Sequence, residues 1–228
     1  MIATVIEEIL PAAAVAVETR EDLLDVELFP QEQAAIANAV AKRRREFVTA
    51  RACARRALAQ LGVAPTAIPS GERGEPCWPA GIVGSITHCA GYRACALARA
   101  GELAALGIDA EPHAPLPVGV LGAVAGPAER VALAALAQCE PAVHWDRLLF
   151  SAKESVYKVW FPLARRWLGF EQVHVTIDAA DRTFTARLPP GGLEVAGLVL
   201  HGRWLVRDGL VLTAFALPAG SRIEPAAV

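Results

Sequence analysis

The segment Leu106-Gly-Ile-Asp-Ala-Glu111 constrains this chain more than any other stretch. Its residues alternate between apolar and acidic types, and successive side chains of a strand point to opposite faces. Leu106, Ile108 and Ala110 therefore share a face suited to a core, while Asp109 and Glu111 share the other. Strand rise sets the two carboxylates about 7 Å apart at their Cα atoms. A fold that uses this strand must bury one face and accommodate two like charges on the opposite face. Either the carboxylates are solvated, or a hard, oxygen-preferring cation such as Mg²⁺ lies between them.

The remaining periodicity predicts an α+β fold with mainly antiparallel sheet. Residues 34–61 are expected as one helix, with Val40, Phe47, Ala50, Ala54, Ala57 and Leu61 on its apolar side and Gly62 at its end. Two strands, Ile82–His88 and Tyr92–Ala98, turn over at Gly91, and Leu103–Glu111 is a third. A second helix is expected from Trp145 to Phe161, stopped by Pro162. Beyond it, Val173–Ile177 is expected to pair with Thr183–Leu188, and Arg203–Val206 with Leu210–Phe215 across Asp208-Gly209. Turn-rich punctuation falls at Pro65–Pro79, Pro112–Pro117 and Pro189–Gly192.

Composition narrows the class. The 228 residues are 54% hydrophobic and 20% charged, enough apolar surface to offset chain entropy. No apolar run approaches the roughly 18–20 residues that span a bilayer, so no membrane partner is expected. Glu7 and Glu8 stand where an export signal carries basic residues, and a cytoplasmic location is expected. A formal charge of −2 and a pI near 6.2 argue against a protein that coats nucleic acid. Five cysteines without a C-x-x-C pair suggest neither a disulfide framework nor a zinc knuckle.

Four further stretches carry chemistry. In Phe150-Ser-Ala-Lys-Glu-Ser-Val-Tyr-Lys158, the polar residues Ser151, Glu154, Ser155 and Lys158 form one helical stripe, opposite Leu149, Val156 and Trp160. Glu154 and Lys158 make either an ordinary helix ion pair or a metal ligand beside a phosphate-binding lysine. The basic helix carries Lys42, Arg43, Arg44, Arg45, Arg51, Arg55 and Arg56. Arg43 falls in register with Phe47 and Ala50, so it needs an anionic partner, and Arg51 one turn beyond Phe47 can approach the same anion: either a phosphate monoester or a structural carboxylate. His88, where a strand turns over, is a ligand or a structural histidine. Gly74-Glu-Pro-Cys-Trp-Pro79 is a rigid loop that lines a pocket or covers core.

Taken together and in this order, Lys42-Arg-Arg-Arg-Glu-Phe47 with Arg51, Gly74-Glu-Pro-x-Trp-Pro79, Ser85-Ile-Thr-His88, Gly107-Ile-Asp-x-Glu111 and Phe150-Ser-x-Lys-Glu-Ser-x-x-Lys158 resemble the 4′-phosphopantetheinyl transferases of the surfactin/enterobactin type. The continuation Trp160-Phe-Pro-Leu-x-x-Arg-Trp-Leu-Gly-Phe170 looks like the actinobacterial enterobactin-like branch. The resemblance implies a pseudo-dimer of two similar α+β halves, residues 1–105 and 106–228, with the active site in the cleft between them. It implies transfer of the phosphopantetheine arm of coenzyme A to a serine of acyl or peptidyl carrier proteins, with release of 3′,5′-ADP. By the same resemblance Asp109, Glu111 and Glu154 would hold Mg²⁺ or Mn²⁺, Glu111, Glu154 and Lys158 would be catalytic, and Arg43, Arg51, Glu75, Pro76, Thr87, His88 and Lys158 would bind coenzyme A. Glu129 falls where relatives carry a further acidic residue near the site. Glu111 is favoured as the base, or as the residue that positions it. Arg165 and Arg166, just beyond the second helix, either steer an acidic carrier or bind a local carboxylate. A monomer is expected. The competing class is a non-catalytic nucleotide- or nucleic-acid-binding module built on the basic helix, which accounts for the arginines but not for the carboxylates or Lys158.

Overall fold

The computed structural model describes residues 4–23, 25–188, 193–194 and 201–223; the turn expected at 189–192 lies outside them. Strand β1 (Val15–Thr19) is followed by a single-turn helix α1 (Pro30–Gln33), a 3-10 turn at Ala34–Ile36 and the 20-residue helix α2 (Ala41–Gln60). The helix expected from residue 34 thus starts seven residues later, and Val40 is exposed rather than core. Glu32 gives the reason. It is fully buried and accepts hydrogen bonds from Arg55 Nη1 at 3.0 and 2.9 Å, Phe29 N at 3.0 Å and Ile68 N at 2.9 Å. Along one continuous helix Glu32 and Arg55 would stand about 35 Å apart. The chain must fold back between them, and 37–40 is where it does. Leaving either charge unpaired costs about 3–5 kcal/mol, so the break is strongly held. Helix α2 ends at Gly62, with Gly62 N bonded to Ala59 O and Val63 N to Leu58 O, a Schellman closure.

Strands β2 (Ile82–Cys89) and β3 (Tyr92–Arg99) form the expected hairpin, and β1 adds to give the antiparallel order β1-β3-β2. Helix α2 packs Cys53, Ala54, Ala57 and Leu58 on this sheet against Cys95 and Leu97.

Strand β4 (Leu103–Pro112) then opens a five-stranded antiparallel sheet. Between it and the next strand come helix α3 (Leu121–Val124), helix α4 (Pro127–Cys139), which the periodicity did not single out, and the 20-residue helix α5 (Trp145–Ala164). Pro162 lies inside α5 instead of stopping it. The last turn closes through Arg165 N to Phe161 O, with Arg165 in the left-handed region at φ 50°. Strands β5 (His174–Asp178), β6 (Thr183–Arg187), β7 (Leu193–Glu194), β8 (His201–Arg207), β9 (Leu210–Pro218) and β10 (Arg222–Ile223) follow. The large sheet runs β4-β9-β8-β6-β5, and β7 pairs with β10. Asp208 and Gly209, both at positive φ, make the predicted tight turn between β8 and β9.

The alternation read from β4 is realised. Leu106, Ile108 and Ala110 bury into a cluster with Tyr92, Ala94, Ala96, Leu212 and Ala214, which joins the two sheets. The opposite face receives α5, whose Leu149, Val156 and Trp160 are at most 2% exposed. Contact there is unusually close: a Cβ on Gly107 would meet Ser155 O at 2.1 Å. Only glycine lets the helix backbone lie directly on the strand. No helix among the described residues is long and apolar enough to cross a membrane.

Candidate active site

Seating α5 on β4 brings two sequence motifs into contact. Lys158 Nζ donates to Asp109 Oδ1 at 2.7 Å and to Ile108 O at 3.0 Å. Asp109 is only 5% exposed, and its Oδ2 has no hydrogen-bond partner. A buried carboxylate oxygen left unpaired is costly, and it marks a position that awaits a ligand. Glu111, two residues further on the same face, accepts from Arg147 Nη1 at 2.8 Å. Burial first, then the charge of Asp109, raises the Glu111 carboxyl above its ordinary value, against the pull of Arg147 and Lys158. Glu154 is pushed up to about 7 by burial, then by Asp109, against Lys158, with Glu111 adding to the rise. The three carboxylates thus repel one another, as expected when hard oxygen donors are gathered without a cation.

That donor chemistry, with the orphaned Asp109 Oδ2, fits a divalent ion. As placed, however, the three do not close into a cage: among the described residues no group of three His, Cys, Asp or Glu side chains does. Lys158 and Arg147 stand on two of the carboxylates instead.

Next to this row opens a cleft. One wall is Glu154, Tyr157, Lys158, Phe161 and Pro162 of α5. The other is Arg43, Phe47 and Arg51 of α2, the loop through Arg73, Glu75, Pro76 and Trp78, and Ser85 and His88 of β2. Arg51 is held by Nε to Ile68 O at 2.8 Å and Nη2 to Ser70 Oγ at 3.1 Å, and its guanidinium lies 4.2 Å from the Phe47 ring centroid. Burial lowers it to about 10, which leaves it a cation at neutral pH. Arg43 Nη1 lies 2.8 Å from His88 Nε2. A guanidinium only donates, so Nε2 accepts and the ring proton sits on Nδ1, 3.7 Å from Glu46 Oε2. Burial lowers the His88 pKa, consistent with that neutral ring. Arg43 and Arg51, with neutral His88 bonded to Arg43, form a basic end, opposite the acidic one. Glu75 faces the cleft but is occupied: Oε1 takes Arg165 Nη1 at 2.7 Å and Oε2 takes Arg73 N at 3.0 Å. Arg165 therefore binds a local carboxylate.

Two expected site residues stand elsewhere. Thr87 points away from the cleft and is 2% exposed; its Oγ1 accepts from Ala110 N at 2.9 Å and lies 3.4 Å from Asp109 Oδ1, so it supports Asp109 from behind. Glu129 is not at the site. It caps α4 through Gly126 N at 2.8 Å, accepts from Val175 N at 2.9 Å and pairs with buried Lys153 at 2.8 Å.

Two residues were missed. Lys153 belongs to that interior pair. Arg147 stands seven positions before Glu154, on a one-turn extension of the Ser151, Glu154, Lys158 stripe, which is the signal that points to it.

Comparison with known proteins agrees with this layout. Residues 31–98 match the family of the 4′-phosphopantetheinyl transferase N-terminal domain, and residues 105–206 match the 4′-phosphopantetheinyl transferase superfamily. The chain is similar to 4′-phosphopantetheinyl transferase Svp of Streptomyces mobaraensis, 53% identical over 204 residues (87% of this chain, 83% of the relative). It is 48% identical over 234 residues to 4′-phosphopantetheinyl transferase PptT of Mycobacterium tuberculosis (95% and 99%). To enterobactin synthase component D of Salmonella typhimurium it is 32% identical over 174 residues (75% and 71%).

Proposed function

From the premise that this chain belongs to the surfactin/enterobactin-type 4′-phosphopantetheinyl transferases, we propose how its cleft does the work of that family. The enzyme transfers the 4′-phosphopantetheine arm of coenzyme A to carrier proteins. We read residues 1–105 and 106–228 as two α+β halves facing across the cleft. In support, each half lays one 20-residue helix over antiparallel sheet, and the cleft walls come from those helices.

Arg43, Arg51 and His88 bind the 3′-phosphate of coenzyme A at the basic end, with Glu75 and Pro76 shaping the wall beside the nucleotide. Asp109, Glu111 and Glu154 would hold Mg²⁺ or Mn²⁺, which when bound neutralises pyrophosphate charge. Glu111 takes the proton of the carrier serine: burial and Asp109 raise its basicity, and Arg147 fixes one of its oxygens. Lys158 has two of its three ammonium protons committed, to Asp109 and Ile108 O. The third can meet the phosphate that departs as 3′,5′-ADP, where negative charge grows. Thr87 steadies Asp109 instead of touching coenzyme A.

The observation that carries this reading is the 2.7 Å contact of Lys158 with Asp109 at the cleft edge. It joins the two motifs at the point where phosphate charge must be met. The test is incubation with coenzyme A, Mg²⁺ and fatty-acid, polyketide and peptide carrier domains, followed by intact mass. At least one carrier gains the phosphopantetheine mass on its serine; no gain on any of the three would defeat the proposal. The binding module built on the basic helix predicts no gain at all.

A further inference from the structure

Arg147 makes three side-chain hydrogen bonds, all to the acidic end of β4 and the chain that leaves it. Its Nη1 donates to Glu111 Oε2 at 2.8 Å, its Nε to Ala114 O at 3.0 Å and its Nη2 to Pro115 O at 2.9 Å. The guanidinium and carboxylate are 14% and 20% exposed. The preceding residue works on the same loop: Asp146 Oδ2 accepts from Leu116 N at 2.8 Å, while its Oδ1 takes Arg147 N at 2.8 Å. The first turn of α5 therefore grips the chain leaving β4 from two sides, with Glu111 at the grip.

Glu111 sits one residue from the end of β4, where the chain leaves the sheet. A free carboxylate there would sample several rotamers, and fixing it during reaction costs entropy. The fork of Arg147 removes that freedom beforehand. It also adds a second positive charge to a site where three carboxylates otherwise face Lys158 alone. A lysine offers the charge without the planar fork, so charge and geometry separate by substitution.

We propose that Arg147 is a positioning residue for phosphopantetheinyl transfer, holding one oxygen of Glu111 so that the other is presented to the cleft. The inference rests on the proposed function and on Glu111 acting there. Residues that orient metal-binding carboxylates typically contribute about 10- to 100-fold to metal affinity or activity.

The test uses the full-length protein with Arg147→Lys and Arg147→Gln. Mn²⁺ binding is followed by electron paramagnetic resonance with coenzyme A present and no carrier, so that no turnover occurs. Steady-state transfer is measured separately. Both variants should bind Mn²⁺ roughly 10-fold more weakly and lose kcat comparably. KM for coenzyme A should stay within about twofold, because the phosphate-binding arginines lie on α2 and do not touch Arg147. If Arg147 only clamped the loop, melting temperature would fall while Mn²⁺ affinity and kcat held, and the proposal would be overturned. Tighter Mn²⁺ binding would overturn it too, since Arg147 would then merely oppose the cation. A double-mutant cycle keeps the test sharp if Arg147→Gln folds poorly: in a Glu111→Gln background, Arg147→Lys should cost little further. Additive losses mean that Arg147 does not act through Glu111. Wild-type transfer to the same carrier is the control; its absence defeats the proposed function, whereas its presence with an additive cycle defeats only this role for Arg147.

Discussion

Helix α5 carries two lysine–carboxylate pairs, five residues apart and on different sides of the helix, that look alike by distance and differ in almost everything else. Lys153 meets Glu129 at 2.8 Å; Lys158 meets Asp109 at 2.7 Å. The first pair is saturated. Lys153 spends its three protons on Val124 O, Glu129 Oε2 and Phe170 O, and Glu129 takes two backbone N–H groups besides, with side chains 1% and 3% exposed. The second pair is unfinished. Lys158 is 27% exposed toward the cleft, Asp109 Oδ2 has no partner, and Glu154 nearby is held partly protonated near neutrality. A saturated ion pair holds elements together, whereas an unsaturated one keeps bonding capacity for a ligand.

The comparison can be broken in order of expected effect. Lys153→Met leaves Glu129 charged and buried, so unfolding in denaturant should show a loss of about 3–5 kcal/mol, while the protein that remains folded keeps its kcat. Lys158→Met should act on turnover: kcat for carrier modification falls about 100- to 1000-fold and KM for coenzyme A changes less, while buried Asp109, which loses its cation, also lowers the denaturation midpoint. If the two variants exchanged phenotypes, the division between structural and functional pairs would fail.

A finer test is the pH dependence of stability in metal-free protein. Glu154 titrates near 7 in the fold against an ordinary value of 4.5. Between those values the folded state binds more proton than the unfolded one, so stability falls as pH rises from about 4.5 to 7 and levels off above. Glu154→Gln should flatten that slope in denaturant titrations at pH 5, 6 and 7. An unchanged slope would place the titrating group elsewhere. The smallest expected effect lies at the basic end: Arg51→Ala should reduce the preference for coenzyme A over dephospho-coenzyme A by about tenfold, the worth of one charge-assisted bond, measured by competition kinetics.

What the chain disclosed in advance followed from periodicity. The two faces of β4 are a period-2 pattern that the fold keeps; of the period-3.6 polar stripe of α5, Glu154 and Lys158 reach the cleft, whereas Ser151 and Ser155 are fully buried, Ser151 against Thr213. By alternation Thr87 faces away from His88, and there its Oγ1 lies 3.4 Å from Asp109 Oδ1. Glu129 likewise carried its own signal. In Gly126-Pro-Ala-Glu129, proline at the first helical position and glutamate at the third mark a helix start, and α4 begins there. The late start of α2 and the grip of Arg147 were beyond reach because their partners lie 23 and 36 residues away in the chain, a separation that no local pattern encodes.

Gly107 acts as a zero-thickness shim between α5 and β4. Glu154 and Lys158 ride on that helix as one rigid piece, and Asp109 lies two residues along the strand. A single methyl at 107 would force Ser155 O back by about 1.3 Å, the gap between 2.1 Å and the 3.4 Å of ordinary contact. The 2.7 Å reach of Lys158 to Asp109 would open by a similar amount, and a displacement of about 1 Å in a reacting constellation can cost roughly 100-fold in rate. The gauge of the whole site is therefore set by an atom that is not there, on a residue that touches no substrate.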